Sequence, residues 1–214
     1  MTKTITRLFD DYADATTAVR DLEALGISHG DISLVANNAH GQHDVNDHDN
    51  VDGRGVDDRG DVSRGTSTGA LLGGAGGLLA GLGLLAIPGL GPIVAAGWLA
   101  ATAVGAGIGA AGGAATGSLV GALKNSGHTD EEANVYSEGV RRGGTLVSAK
   151  VPDAQAVEAE AVLDRNRSVD ATTRGAAYRQ SGWTGFDANA PAYTTDEVDR
   201  ERATYARTPA VERY

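Results

Sequence analysis

The segment 65–123 contains no Asp, Glu, Lys, Arg or His, and this lack of charge constrains the fold more than any other feature. It consists almost wholly of Gly, Ala, Leu, Val and Ile, interrupted by the run Ile87-Pro-Gly-Leu-Gly-Pro92. Proline and glycine together end helices and form turns. The sequence therefore predicts two apolar arms, about 68–87 and 93–123, joined by a turn at Pro88, Gly89, Gly91 and Pro92.

Glycines recur at every fourth position of both arms, so a helix would present them along one face. The first arm contains Gly69, Gly73, Gly77 and Gly81, and the second contains Gly105, Gly109, Gly113, Gly117 and Gly121. A face without side chains lets two helix backbones approach closely. Each glycine in a helix costs about 1 kcal/mol relative to alanine, so close packing or a bilayer has to offset the cost. The spacing predicts a glycine-zipper helical hairpin at 65–123.

Two environments suit such a hairpin, and the sequence favours the first, with the second as the alternative. In the first, the hairpin inserts into the cytoplasmic membrane with both termini in the cytoplasm, because a span needs roughly 20 apolar residues. Arg64 and Lys124 flank the segment, as the positive-inside rule expects. In the second, hairpins of several copies pack together in a soluble cytoplasmic homo-oligomer, because a large apolar surface does not stay exposed in water. The expected partner is membrane lipid or another copy.

The overall composition argues against several other functions. The 214 residues carry a net charge of -10 and no basic cluster, which disfavours nucleic-acid binding through phosphate contacts. The chain has no cysteine, so it forms neither disulfides nor thiolate metal sites. Its first residues lack the apolar core of a signal peptide. No feature of the sequence identifies a small-molecule substrate or a cofactor.

Residues 1–36 are predicted to form a strand, a helix and a second strand. The first strand covers residues 4–9, and Asp11 or Asp14 caps the helix that follows. Gly26 is well placed as the C-terminal cap of that helix, and residues 31–36 form the second strand. The apolar positions of the helix lie on one face and comprise Ala15, Ala18, Val19, Leu22 and Leu25.

Residues 37–64 are predicted to be an acidic, disordered loop, because almost no apolar residue is present to bury. The segment contains His40, His43 and His48 with Asp44, Asp47, Asp49, Asp52, Asp57, Asp58 and Asp61. Histidine and aspartate together bind zinc, nickel or calcium. The spacing does not fit a calcium loop, because aligning Gly53 with its glycine places His48 first and Arg59 last. We interpret the loop as a charged spacer without a specific metal site.

Residues 124–174 are predicted to form the second half of an α+β domain. A capping box at residues 129–132 opens a helix that runs to about Arg142, where Gly143-Gly144 stops it. A strand at 145–151, a helix at 154–166 and a weak last strand at 168–172 follow. Val157, Ala161 and Leu163 are the residues of this helix expected to pack. Two strand-helix-strand halves suggest a ferredoxin-like split βαβ sandwich with the helical hairpin inserted between strands 2 and 3. The polar residues 175–214 are predicted to be a mostly disordered tail.

Two short patterns resemble catalytic motifs. Gly65-Thr-Ser-Thr-Gly69 matches G-x-S-x-G, but that motif requires a preceding strand and a strained turn. Gly107-Ile-Gly-Ala-Ala-Gly112 matches G-x-G-x-x-G, which a segment this rich in glycine produces by chance. We interpret Ser67 or Thr66 as a helix cap and assign no catalytic residue.

Charged residues near His128 also need an interpretation. Glu131, Glu132 and Glu138 could suggest acid–base chemistry, but helix capping and helix-surface charge explain them better. Arg141-Arg142 close the predicted helix, where cations complement the helix dipole, or they contact lipid phosphates. The sequence therefore predicts that the protein is not an enzyme.

Several segments resemble a known bacterial family. Thr4-Ile-Thr-Arg-Leu-Phe-Asp10, Leu25-Gly-Ile27 and Ile32-Ser-Leu-Val35 are similar to the general stress protein 17M-like (YflT-like) domain. The hairpin run Ile87–Pro92, the segment 136–147 and the segment 174–183 are similar to its longer, glycine-zipper-bearing relatives. The resemblance covers about residues 3–36 and 65–183. It implies a stress-response protein of unknown molecular activity and no assigned catalytic residue.

Overall fold

Strands from the N-terminal segment, the apolar segment and residues 145–152 meet in one sheet. The structure, a computed structural model, describes residues 1–41, 83–87, 89–102 and 119–206. The strands are β1 (Thr2–Phe9), β2 (Ile32–Asn37), β3 (Gly83–Ile87), β4 (Gly91–Ala96) and β5 (Thr145–Pro152). The helices are α1 (Tyr12–Ala24), α2 (Leu119–Asn125), α3 (Asp130–Arg141), α4 (Ala156–Arg165), α5 (Ala171–Gln180) and α6 (Thr195–Ala206). Residues 98–102 are also helical.

The strands form a five-stranded sheet in the order β1-β5-β2-β4-β3, and all neighbours are antiparallel. β5 pairs with the whole of β1, from Thr2↔Pro152 to Phe9↔Thr145. On its other side β5 pairs with β2, so it separates the two strands that α1 connects. The prediction of a mixed α+β fold is confirmed.

Local signals position α1 as the sequence predicts. The Asp11 side chain accepts a hydrogen bond from the Ala13 N–H at 2.8 Å, which satisfies a free donor of the first turn. Gly26 follows the helix with a φ of 93°, and the Ile27 N–H donates to the Leu22 carbonyl at 3.1 Å. This is a Schellman ending, which favours glycine because of the positive φ. The predicted strand, helix and cap are therefore confirmed.

The second half of the domain also starts from a local signal. The Thr129 hydroxyl accepts from the Glu132 N–H at 3.2 Å, and Glu132 accepts from the Thr129 N–H at 2.9 Å. This reciprocal capping box begins α3, as predicted. The predicted strand and the helix after it correspond to β5 and α4.

The prediction of helical arms is wrong for Gly83–Ile87 and Gly91–Ala96, which are strands, whereas residues 98–102 and 119–123 of the second arm are helical. An uncharged run of this length suits a buried strand as well as a helix, so composition does not separate the two. The Leu90 N–H donates to the Ile87 carbonyl at 3.0 Å, and Gly89 has the φ of 77° that a type II turn requires. The predicted turn thus joins two strands. Residues 65–82 and 103–118 lie outside the described residues.

Helices cover both faces of the sheet. Against α1 and α4, the sheet buries a first cluster that includes Ile5, Phe9, Ile32, Leu34, Val94 and Val147. Against α2, α3 and α5, it buries a second cluster that includes Leu8, Val35, Ile93, Leu99 and Leu146. The alternation of residues between the two clusters follows the period of two in strands. Residues from the uncharged segment therefore belong to the core of the α+β domain.

Two smaller predictions need correction near α4 and α5. The weak last strand at 168–172 is reduced to one bridge between Val169 and Leu8, because Asp170 caps α5 by accepting from the Thr173 N–H at 2.8 Å. In α4 the packed residues are Ala156, Ala159, Val162 and Leu163, whereas Val157 is 80% exposed.

The prediction of a mostly disordered tail is wrong for residues 175–206. α5 and α6 lie in this region, and Tyr178 and Val198 are fully buried. The segment between them packs on the β3–β4 turn, since a Cβ on Gly89 would come within 2.8 Å of the Ala188 Cα. Isolated aromatic residues in a polar sequence therefore mark contacts with the domain.

Among the residues that the structure describes, no helix is both long enough and apolar enough to cross a membrane.

We expect Gly97→Ala to destabilise the protein strongly. Gly97 follows β4 with a φ of 84°, and a Cβ there would clash with the Ile32 carbonyl and lie 2.8 Å from the Ser33 Cα. The matched control is Gly26→Ala, whose φ is also positive but whose Cβ would meet nothing within 4 Å. In urea unfolding, we expect a loss of about 1–2 kcal/mol for the control and at least about 3 kcal/mol for Gly97→Ala. Equal losses would contradict the close approach of β4 and β2.

Candidate functional site

The predicted glycine faces fall mostly outside the described residues. This applies to Gly69, Gly73, Gly77, Gly81, Gly105, Gly109, Gly113 and Gly117, and also to Pro88 of the turn. Gly121 lies in α2, a helix whose Leu119, Ala122 and Leu123 belong to the second buried cluster. Gly89, Gly91 and Pro92 lie at the β3–β4 turn. The zipper itself remains a prediction.

A groove runs beside β1 in the described part of the chain. Its volume is about 530 Å³, and β1 forms its floor from Thr2 to Arg7. One wall comes from the start of α3 and the loop before it, and the other includes Glu160 of α4. The lining residues outside β1 are Ser126, Gly127, His128, Glu132, Tyr136 and Glu160. β1 lies at the end of the sheet order, so the groove follows a sheet edge.

A buried hydroxyl and an imidazole meet at the inner end of this groove. The Thr6 Oγ1 lies 2.7 Å from the His128 Nε2 and 2.9 Å from the Ser148 Oγ, both hydrogen-bond distances. The Tyr136 hydroxyl donates to the Thr6 carbonyl at 2.7 Å, and its ring meets the His128 ring edge-on with centroids 5.8 Å apart. These contacts connect α3 to β1 and hold the wall against the floor.

Burial controls the protonation of this cluster. Burial lowers the pKa of His128, against the opposing effect of the Glu132 carboxylate, whose Oε2 lies 3.7 Å from the His128 Nδ1. Burial likewise raises the pKa of Tyr136 to about 12. Both groups are therefore neutral near pH 7, and the groove contains an uncharged imidazole and an uncharged phenol.

The order Thr6, His128, Glu132 resembles a nucleophile, a base and an orienting carboxylate. Three features oppose that role. Thr6 is only 2% exposed, the His128–Glu132 distance of 3.7 Å is too long for a good hydrogen bond, and Glu132 is held by Thr129 in the capping box. The arrangement therefore acts as a packing contact of the groove wall.

Sequence reasoning missed Thr6, Ser33 and Ser148 as a connected group. All three are buried, and register places Thr6 opposite Ser148 and Ser148 opposite Ser33. The Ser33 hydroxyl donates to the Ala96 carbonyl at 2.7 Å, which ties β2 to the end of β4. The available signal was a hydroxyl in each predicted strand, but the matching register depends on strand pairing.

A second polar cluster forms where the C-terminal helices dock. Glu138 is 1% exposed and accepts from the Arg142 Nε at 2.7 Å and from the Arg141 Nη1 at 3.3 Å. The same Arg142 donates to Glu201 of α6 at 3.1 Å. Its guanidinium carbon lies 4.4 Å from the centre of the Tyr178 ring, a cation–π distance.

The remaining members of this cluster tie α5 and α6 to the same place. Arg174 donates to both carboxylate oxygens of Asp10, at 2.8 and 2.6 Å, and lies over the Tyr205 ring at 3.9 Å. Arg202 donates to the Gly143 carbonyl at 2.8 Å. The arginine side chains therefore connect α5 and α6 to segments that are distant from them in sequence.

The charged residues singled out in α3 therefore have separate roles. Glu132 caps the helix, as predicted, and Glu131 pairs with Arg179 at 2.7 Å. The prediction of surface charge is wrong for Glu138, which is buried. Arg141 and Arg142 lie at the helix end as predicted, but their guanidinium groups engage Glu138 within the protein.

Neither a metal site nor a known relative assigns a function to the described part of this chain. Within the described ranges, no three residues of the ligating types come together as a metal site, and residues 42–64 of the acidic loop lie outside those ranges. Comparisons with protein-family models, with curated proteins and with solved structures find no match. The function is therefore argued from the geometry of this chain.

We expect the protein to lose stability as the pH falls below about 6.5, the ordinary histidine pKa. Because burial lowers the pKa of His128, the unfolded state binds its proton first, and stability rises with pH through this window. In urea unfolding between pH 5.5 and 7.5, His128→Gln should have a smaller pH slope than the parent chain.

The matched control is Ser126→Ala, which alters the same loop without removing a titratable group. It should change the level of stability but keep the slope of the parent chain. An unchanged slope in His128→Gln would show that His128 is not the group that titrates.

Proposed function

We propose that this chain is a non-enzymatic protein that self-associates through its uncharged segment. The resemblance to the general stress protein family adds that it acts in a bacterial stress response. The observation that carries self-association is the edge strand β3, Gly-Leu-Leu-Ala-Ile, which has no charged side chain. Edge strands without charge or proline pair readily with other chains.

The position of β3 in the sheet supports this proposal. β3 is the last strand in the sheet order, and among the described residues no strand lies on its outer side. Its inner side is fully paired with β4, from Gly83↔Ala95 to Ile87↔Gly91. A second copy would extend the sheet through the backbone groups of the outer side.

The finer fold assignment is also a proposal. We infer a ferredoxin-like split βαβ arrangement, because β5 lies between the two strands that α1 connects. The bridge from Val169 to Leu8 on the outer side of β1 occupies the place of a fourth strand. The helices of the second face and the β3–β4 hairpin would be additions to that core.

Membrane anchoring is the second candidate function. Its supporting observation lies in the sequence, where residues 65–82 and 103–118 carry no charged side chain. Each run is slightly shorter than the roughly 20 residues of a membrane span. β3 and β4, which the helical hairpin would have placed in lipid, belong instead to the sheet, and Val94 is fully buried there.

Ala86→Lys tests association through β3. Ala86 is exposed on the edge strand, and a lysine there should repel a second edge and keep its charge in water. Light scattering after gel filtration should show the mass moving toward the 21.7 kDa of one chain. The control is Val157→Lys on α4, at an exposed position of another surface. Equal masses for parent, variant and control would contradict the proposal.

The glycine faces give an independent test. Gly77→Leu and Gly113→Leu should reduce assembly by overpacking the predicted contact, whereas Gly74→Leu and Gly112→Leu lie on other faces of a helix and should be milder. Oligomer mass reports self-association, and the fraction kept in membranes after a carbonate wash reports lipid insertion. Equal effects at all four positions would contradict the zipper, and a carbonate-resistant membrane fraction would favour anchoring.

A further inference from the structure

We propose that the groove beside β1 binds an extended, uncharged peptide segment of a partner protein, which adds to the sheet as an antiparallel strand. This surface is at the opposite edge of the sheet from β3 and is independent of the self-association proposed above. The argument depends on the backbone of β1, on the charges near it and on the shape of the groove.

The backbone of β1 alternates between its two sides. Leu8 bonds outward, because its N–H donates to the Val169 carbonyl at 3.0 Å and its carbonyl accepts from the Val169 N–H at 2.7 Å. By the period of two, Thr6, Thr4 and Thr2 also direct their N–H and carbonyl groups away from β5. The Thr6 carbonyl is used by the Tyr136 hydroxyl. Within the described ranges, the outward groups of Thr4 and Thr2 and the Thr6 N–H have no backbone partner and are available to an added strand.

The bridge at Val169 sets the direction of such a strand. Val169 pairs antiparallel with Leu8, and the chain then leaves the edge when α5 begins at Ala171. A peptide that continues this ladder lies opposite Ile5 to Thr2 and runs in the same direction as the segment around Val169. Its N-terminal end is therefore near Tyr136, and its C-terminal end is near Met1.

Charged side chains often protect a sheet edge, but those of β1 form ion pairs with α4. The Lys3 Nζ pairs with Glu160 at 2.9 Å, and the Arg7 Nε pairs with Asp164 at 3.3 Å, so both cations lie on α4. Free lysines on an edge normally oppose the addition of another chain. Pairing on α4 removes this protection and leaves the edge open.

The walls of the groove select an uncharged segment. His128 is neutral near pH 7 because burial lowers its pKa, Tyr136 presents a ring, and Lys3 and Glu160 neutralise each other. The Glu132 carboxylate is already engaged, because it accepts from the Thr129 N–H at 2.9 Å and from the Thr129 hydroxyl at 3.0 Å. Thr2, Thr4 and Ser126 add hydroxyls to the lining. A charged side chain of the peptide would lose its hydration without gaining an unpaired charge of opposite sign in the groove. Small, β-branched or hydroxyl side chains of the peptide fit both walls. The volume of about 530 Å³ is that of a ligand site.

Thr4→Pro tests the backbone ladder directly. Proline removes the outward N–H of Thr4 but leaves the inward bonds of its neighbours to β5, a position that edge strands tolerate. The matched control is Thr4→Val, which keeps the N–H and the shape of the side chain. Circular dichroism and the melting temperature of the full-length variants first establish that both are folded.

The probes are fluorescent, end-blocked neutral pentapeptides of sequences Ser-Val-Thr-Val-Ser, Thr-Ile-Thr-Ile-Thr and Ser-Ala-Thr-Ala-Ser, with a lysine-containing version of each. Fluorescence anisotropy with the full chain measures affinity, and hydrogen exchange measures protection of residues 2–8. We expect a neutral peptide to protect this segment and to bind Thr4→Val within about twofold of the parent chain. Thr4→Pro should bind at least about fivefold more weakly, as for the loss of one hydrogen bond.

Three results would overturn the proposal. The first is equal peptide affinity for folded Thr4→Pro and Thr4→Val. The second is the lack of protection of residues 2–8 by every neutral peptide at 1 mM. The third is protection of this segment without peptide that disappears in Thr4→Pro together with a fall in mass, because a second copy would then occupy the edge.

Discussion

The pairing of β5 with both β1 and β2 is the interaction on which the rest of the structure depends. β5 is separated from β1 and β2 by more than a hundred positions in sequence, yet it lies between them and is buried on both faces. Without it, the first strand-helix-strand unit would contain two strands with no hydrogen bonds between them. The long connection adds little further closure entropy, because that cost grows only logarithmically with length. The acidic loop and the apolar segment can therefore be carried between the two halves.

The buried carboxylate of Glu138 helps to attach the C-terminal helices to the domain. A buried ion pair adds little net stability compared with apolar packing, but the loss of one partner costs about 3–5 kcal/mol. Arg142 is the partner that Glu138 requires, and it also forms an ion pair with Glu201 and a cation–π contact with the Tyr178 ring. Residues beyond 174 thus complete the domain, although their sequence is polar.

The two edges of the sheet differ in their chemistry. β3 is short and uncharged, and among the described residues no strand covers its outer side. β1 carries Lys3 and Arg7, but α4 holds both cations, and helical elements form a groove along the edge. In the two proposals above, β3 would therefore pair with the same edge of a second copy, whereas the groove beside β1 would bind a single peptide strand. The same backbone groups support both forms of association because a sheet edge leaves them unpaired.

Short-range signals in the sequence determined the elements that depend on neighbours in the chain. Asp11 and Gly26 bound α1, the capping box starts α3, and glycines with positive φ close the β3–β4 turn, so these positions were predictable. The groove beside β1 was not, because it depends on which strand lies at the edge and on the contact between His128 and Thr6, far apart in sequence.

The sequence alone likewise did not predict that β3 and β4 are strands or that Glu138 is buried. An uncharged run packs as a helix or as a buried strand, and tertiary pairing with β2 decides between them. A glutamate on a helix is normally exposed unless a cation from elsewhere meets it. The sequence by itself determined local conformation through caps, turns and periodicity. The tertiary structure decided edges, grooves and buried charges, because each depends on contacts between residues that only the folded chain brings together.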